Sequence, residues 1–193
     1  MPGKPKIVLV VGPHKSGKTR TIELLASMLR GKLRLATMKH VHEFDYTFDL
    51  KGKDTWRHRE AGAEATLALT GSEMVFFQRV NSKKLSWGRL VRLLEGYDLV
   101  LAEGFRFKAA RRRDAWKIVT ARTFEEACEF GRQVSPILAV ASWNKPLRPI
   151  SPKTPVFKLP EEGESLLRLI LRRVLRWREE KVKRILAGGG GVT

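Results

Sequence analysis

The segment Gly12-Pro13-His14-Lys15-Ser16-Gly17-Lys18-Thr19 sets two glycines, a lysine and a hydroxyl at the spacing G-x-x-x-x-G-K-[ST]. Each serves a physical purpose in holding a polyphosphate. Glycines let the chain turn tightly enough for consecutive backbone N–H groups to converge on one phosphate, and a helix starting at the loop's end adds its positive pole. Lys18 is placed to reach β and γ phosphates, and the Thr19 hydroxyl is a hard oxygen ligand suited to Mg²⁺. The expected phosphate-binding set is therefore Gly12, Lys15, Ser16, Gly17, Lys18 and Thr19, with His14 as a variable position. A turn that merely joined a strand to a helix would need neither Lys18 nor Thr19.

Such a loop works with a carboxylate at the end of a neighbouring strand, which helps to hold the metal. Glu103 is the candidate. It ends the apolar run 98–103, and Gly104 permits a sharp exit from the strand. Asp98 begins the same run, so it falls at the opposite edge of the sheet, whereas ligands of open α/β sheets bind outside the carboxyl ends of the strands. The expected metal pair is Thr19 with Glu103. His40, His42 and His58 show no ligand spacing of the H-E-x-x-H kind, and the single cysteine, Cys128, supplies no thiolate cluster.

The elements that must carry these residues are legible as short apolar runs at 6–11, 33–38, 74–77, 99–102, 118–121 and 137–141, separated by helical patterns. That alternation predicts an α/β fold, a three-layer P-loop sandwich with a mostly parallel sheet. Behind the loop, Ile22, Leu25 and Leu29 share one helical face, and further helices are expected near 54–63, 85–94 and 123–132. The segment 143–160 carries Pro146, Pro149, Pro152, Pro155 and Pro160, which reads as a wrapping loop. One long helix is expected over 161–187, acidic at its start, basic afterwards, with Leu167, Ile170, Leu171 and Val174 as its apolar stripe. The organisation that follows is a nucleotide-binding domain over 1–160, a basic amphipathic C-terminal helix over 161–187 and a glycine-rich flexible tail over 188–193.

The chain of 193 residues carries 38 Lys plus Arg against 20 Asp plus Glu, a formal charge of +18 that favours anionic partners. Much of the excess lies at 106–113, directly after Glu103, and at 168–184. No run is apolar and long enough to span a membrane, and a cytoplasmic protein is expected. The position of 106–113 after a strand end predicts that these cations face nucleotide or a docked partner, and nucleic acid is not the expected partner.

With these residues identified, the chain resembles the adapter proteins of molybdopterin-guanine dinucleotide biosynthesis, the MobB family. Besides the loop, the likeness rests on Met38-Lys39-His40, on the block Gly52-Lys53-Asp54-Thr55-Trp56-Arg57-His58-Arg59-Glu60-Ala61-Gly62-Ala63 and on the run Asp98 to Phe105. The resemblance implies a homodimeric protein that binds GTP with Mg²⁺, hydrolyses it weakly and assists the molybdenum-cofactor guanylyltransferase and related cofactor enzymes. Asp45 and Asp49 match an acidic stretch that the family places after its K-H pair, and either is a candidate to orient water or assist the metal. An exposed acidic loop explains them equally well. The guanine signature N-K-x-D is met in part by Asn144-Lys145, with Leu147 at the place of the aspartate, so Asn144 and Lys145 are the base-site candidates. Two other readings stand beside the adapter: a small kinase with 106–113 as an arginine-rich lid, and a nucleic-acid-associated NTPase.

Overall fold

The computed structural model describes residues 3–41, 43 and 46–187. In chain order its elements are strand β1 (Lys6–Val11), helix α1 (Lys18–Leu29), β2 (Leu35–Lys39), α2 (Asp54–Glu60), β3 (Ala65–Leu69), β4 (Met74–Gln78), α3 (Trp87–Arg92), β5 (Leu99–Glu103), α4 (Arg106–Ala109), β6 (Ala115–Thr120), α5 (Phe124–Gln133), β7 (Ile137–Ser142), β8 (Val156–Lys158), α6 (Gly163–Arg173) and α7 (Glu179–Ala187). They form two compact units. One comprises Met1–His40 with Trp87–Thr193, and the other Val41–Ser86.

The larger unit is built on six parallel strands in the order β2-β5-β1-β6-β7-β8. Parallel strands buried on both faces read as continuous apolar runs, and in β1 only Lys6 is exposed. Because side chains alternate, Val8 joins Leu25 and Leu29 of α1 and Leu166, Leu167, Ile170 and Leu171 of α6 on one face. Ile7, Leu9 and Val11 join Trp87, Val91, Phe105 and Ala127 on the other. Helices on both faces of a parallel sheet make the expected three-layer sandwich.

The run near 74–77 does not belong to this sheet. It forms β4, which pairs antiparallel with β3 in a separate two-stranded sheet of the smaller unit. Short apolar runs look alike in either setting, and β3 hides because two of the five residues in its sequence Ala-Thr-Leu-Ala-Leu are alanines, which carry little strand signal. The proline-rich segment likewise yields a short strand, β8, which adds to β7 at the sheet's edge, the one place where nearby prolines cost no ladder bonds.

The single C-terminal helix expected over 161–187 is instead two helices, α6 and α7, broken at 174–178, where Arg176 takes φ 58°. Leu167, Ile170, Leu171 and Val174 are buried as the stripe predicts. A straight continuation would carry Val182 off the core. Folding back buries Val182 and brings Glu179 into ion pairs with Arg168 and Arg172. The expected tail lies outside the described residues.

The basic segment 106–113 also departs from expectation. The chain leaves the carboxyl end of β5, passes through α4 and re-enters the sheet at Ala115, the amino end of β6, which pairs with Ile7. Phosphates would sit beyond Val11, four residues and roughly 13 Å along the strand from Ile7 at about 3.3 Å per residue. The cations pack locally: Arg106 on Gln133 and over Phe130, Arg111 on the Arg132 carbonyl, and Arg112 bidentate on Asp114. These three side chains are engaged with α5 and the turn into β6 and form no lid over the loop, while Lys108 lies over Phe107, whose ring packs on His40 just past the end of β2.

At that amino end lies a fully buried cation. Lys117 Nζ donates to the carbonyls of Arg112, Ala115 and Ser135 at 2.7, 2.7 and 2.5 Å. Burial pushes its pKa from 10.5 down to about 8, although the nearby Asp114 carboxylate pulls the other way. Between those two values the unfolded chain holds this proton more firmly than the folded one, so the group's contribution to stability rises as pH rises from about 8 past 10.5. Denaturant midpoints measured across pH 7 to 11 are expected to show this upward component in the parent chain and to lack it in Lys117→Met.

Candidate functional site

β1 delivers the chain to Gly12 at the carboxyl end of the sheet, between β5 and β6, its two neighbours. The loop then turns tightly: Lys15 has φ 57° and Gly17 has φ 89°, left-handed values of the kind that build an inward-facing nest of N–H groups. Ser16 locks it from beneath, its hydroxyl 2.9 Å from the Pro13 carbonyl and 2.7 Å from Thr120 Oγ1. Thr120, at the end of β6, also donates to the Val11 carbonyl at 3.2 Å. A Cβ on Gly12 would come within 2.2 Å of the Thr120 carbonyl oxygen and 2.4 Å of its hydroxyl, so no other residue fits.

Lys18 and Thr19 open α1. The Lys18 ammonium arches back across the loop, donating to the Gly12 and Pro13 carbonyls at 3.1 and 2.6 Å. Desolvation lowers its pKa, offset by Glu103 and reinforced by the neighbouring charge of Lys39. Thr19 Oγ1 donates to Glu103 Oε2 at 2.9 Å, and Lys39 Nζ lies 3.6 Å from the same oxygen. The sheet thus brings together the expected metal pair from residues 84 positions apart, on the α1 start and the β5 end. Adjacent oxygens of a Mg²⁺ octahedron at about 2.1 Å stand about 3 Å apart, so the separation and chemistry of this pair fit that ion. Gly104, φ +82°, lets β5 turn away against His40, whose ring packs on Phe105 and Phe107.

Three contributors carry no signal in their spacing. Lys39 is visible in sequence only as part of a strand-end motif, and it faces Glu103. Thr120 is one residue inside an apolar run. Trp143, at the exit of β7, donates from Nε1 to Thr21 Oγ1 at 2.9 Å and covers Gly17 so closely that a Cβ there would meet its Cδ1 at 2.2 Å. Asn144 and Lys145 follow it, exposed, while Leu147 packs against the core beneath.

In the smaller unit, Asp49 is buried. Its Oδ1 accepts from Thr55 Oγ1 at 2.8 Å and its Oδ2 pairs with Arg59 at 3.1 Å. Thr55 and Arg59 belong to the Lys53–Ala63 block, and through them that block staples the preceding loop to α2. Arg59 also lies over Phe77 of β4, and its carbonyl accepts from Arg79 at 2.7 Å. Asp45 and His42 lie outside the described residues.

The model of the family described as molybdopterin guanine dinucleotide synthesis protein B matches residues 7–143. The chain belongs to this MobB family. Among relatives, a molybdopterin-guanine dinucleotide biosynthesis adapter protein of Haemophilus influenzae is 32% identical over 100 residues, 50% of this chain and 55% of its own length. A protein of Methanocaldococcus jannaschii, provisionally given the same name, is 34% identical over 116 residues, 59% of this chain and 46% of its own. The chain spans about half the length of these curated relatives. The crystal structure of Bacillus subtilis MobB superimposes with a TM-score of 0.67 at 27% identity, covering 88% of this chain and 98% of that one. The family match ends at Trp143, so α6 and α7 lie beyond it.

The Asp49 staple can be tested alone. Removing one partner of a mostly buried ion pair costs about 3 kcal/mol. Arg59→Ala is expected to lower the stability of the smaller unit by that amount. Hydrogen exchange should quicken for amides of α2, β3 and β4 and stay at parental rates in β1, β5 and β6.

Proposed function

We propose that this chain is a GTP-binding adapter that assists the attachment of a guanine nucleotide to molybdopterin. The observation that carries the reading is the Thr19–Glu103 oxygen pair set beside a fully formed phosphate loop in a MobB-family chain. Gly12, Lys15, Ser16 and Gly17 would cradle phosphates through backbone N–H groups, and Lys18 would exchange its two carbonyl contacts for β and γ phosphate oxygens. Thr19 and Glu103 would hold Mg²⁺, which offsets phosphate charge when bound. Lys39, beside Glu103, adds positive charge at the same edge. Weak hydrolysis follows from the family resemblance, and neither Asp45 nor Asp49 is assigned to it; Asp49 is occupied by Thr55 and Arg59. GTP over ATP rests on the family, since Leu147 replaces a base-reading carboxylate; Asn144 and Lys145 remain candidates at the base. The protein would act in the cytoplasm, and its partner would be the guanylyltransferase, approached by a strongly basic surface.

Self-association has a specific basis. The register Leu67↔Phe76 and Leu69↔Met74 places these four side chains on one face of the β3–β4 hairpin. All are more than half exposed, an apolar patch of the kind that marks an interface. A homodimer through this face accounts for it.

Titration calorimetry with MgGTP is expected to show binding to the parent chain and a loss of two orders of magnitude or more in Lys18→Ala, with the fold retained by circular dichroism. Unchanged affinity in that variant would remove the phosphate-loop assignment. Good binding of ATP with none of GTP would remove the adapter reading. In light scattering, the parent chain is expected at dimer mass, and Leu67→Glu with Phe76→Glu at monomer mass; a parent monomer at every concentration would refute the interface.

A further inference from the structure

Trp143 is more than a cover for the loop. Its pyrrole edge is fixed at two points, against Gly17 and by the hydrogen bond to Thr21, whose hydroxyl in turn donates to the Gly17 carbonyl at 2.8 Å. The indole packs against the core shared by α1, α6 and the sheet. On this immobilised ring lies the guanidinium of Arg20, its central carbon 4.0 Å from the ring centroid. Arg20 is exposed, yet the attraction of its guanidinium to the face of a buttressed indole restrains it there, where a free arginine would sample many rotamers.

The place of this stack follows from the loop's direction. Lys18 serves the β and γ phosphates, so a nucleotide's α phosphate lies toward the first turn of α1, and the nucleoside continues outward from there. Arg20 is the first side chain after Thr19, and Trp143 stands at the carboxyl end of β7, the edge on which ligands of parallel sheets rest. We propose that Arg20, held over the indole of Trp143, is the platform on which the purine base of the bound nucleotide stacks. Guanidinium planes and purine faces stack well, and the larger purine gains more contact than a pyrimidine. The stack supplies affinity for the base without a carboxylate at position 147, and it reads ring size where that carboxylate would read the guanine edge. Trp143 is in this arrangement a positioning residue, acting through Arg20.

The proposal rests on the reading of Gly12–Thr19 as a phosphate site, so the experiment separates the two. MgGTP, MgCTP and magnesium tripolyphosphate are titrated into the full chain, into Arg20→Lys, which keeps the charge and loses the plane, and into Trp143→Leu, which frees the arginine. Base stacking of this kind amounts to a factor on the order of ten in affinity. The parent is expected to prefer GTP over CTP by about that factor, and both variants to lose GTP affinity by a similar factor. Tripolyphosphate, which has no base, should bind the parent and Arg20→Lys alike within about twofold, because the charge is kept; Trp143→Leu, which also loses the contacts to Gly17 and Thr21, should lose more affinity for GTP than for tripolyphosphate. GTP binding by Arg20→Lys at the parental affinity would overturn the platform. So would an equal loss of GTP and tripolyphosphate, which would make the Trp143 contacts a brace for the loop alone. A parent that binds neither GTP nor tripolyphosphate would overturn the phosphate-site reading itself, and the platform with it.

Discussion

Where β1 leaves the sheet, the Thr120 carbonyl and hydroxyl occupy the space into which any side chain at Gly12 would project. That close approach is the constraint on which the rest of the site depends. It lets Thr120 reach Ser16 and the Val11 carbonyl at once, so the end of β6 is stitched to the loop that follows β1. The loop is then held low over the strand ends, and α1 begins at the position from which Thr19 meets Glu103. Gly17 repeats the device on the other side, where the indole of Trp143 takes the space of a side chain. Two absent Cβ atoms thus allow strands β6 and β7 to grip a loop that neither of them contains.

Much of this is legible in the residues alone, because the loop's chemistry is local. A strand, a glycine turn and a helix start occur in unbroken sequence, and the end of an apolar run locates Glu103. What is not legible depends on tertiary placement. Nothing near Trp143 in sequence reveals that it will lie on Gly17, 126 positions earlier by numbering. The assignment of residues 74–77 to the main sheet fails because a short apolar strand carries no mark of its pairing partner, and the two strands of the hairpin expose most of their apolar residues. The break at 174–178 is hidden because it contains neither glycine nor proline; tertiary burial of Val182, not local propensity, turns the chain there.

The arginine-rich segment shows how sequence proximity misleads in a parallel sheet. A residue a few positions past a strand's carboxyl end is near the ligand edge, but here the crossover carries the chain to the opposite edge by Arg112. Glu103 and Arg112 are therefore neighbours in sequence and attached to opposite ends of the sheet, one beside Thr19 and the other beside the amino end of β6. The physical work of the arginines is accordingly local, in pairing with Asp114 and capping the end of α5. Lys117 performs the same kind of work from within, gathering carbonyls of the turn and of Ser135 around one buried ammonium.

Charge is divided unevenly between the two units. Residues Val41–Ser86 carry equal numbers of acidic and basic side chains, so the whole excess of +18 belongs to the unit that holds the phosphate loop. The exposed apolar face of the hairpin therefore sits on the neutral unit, and the long-range field arises from the other. Added salt shortens the reach of that field to about 8 Å at physiological ionic strength, relaxing the mutual repulsion of two basic chains while leaving apolar contact intact. The same salt weakens attraction to an acidic partner. If the proposed homodimer and the proposed acidic partner both form, ionic strength would act on them with opposite signs, tightening the union of like chains as it loosens the capture of unlike ones.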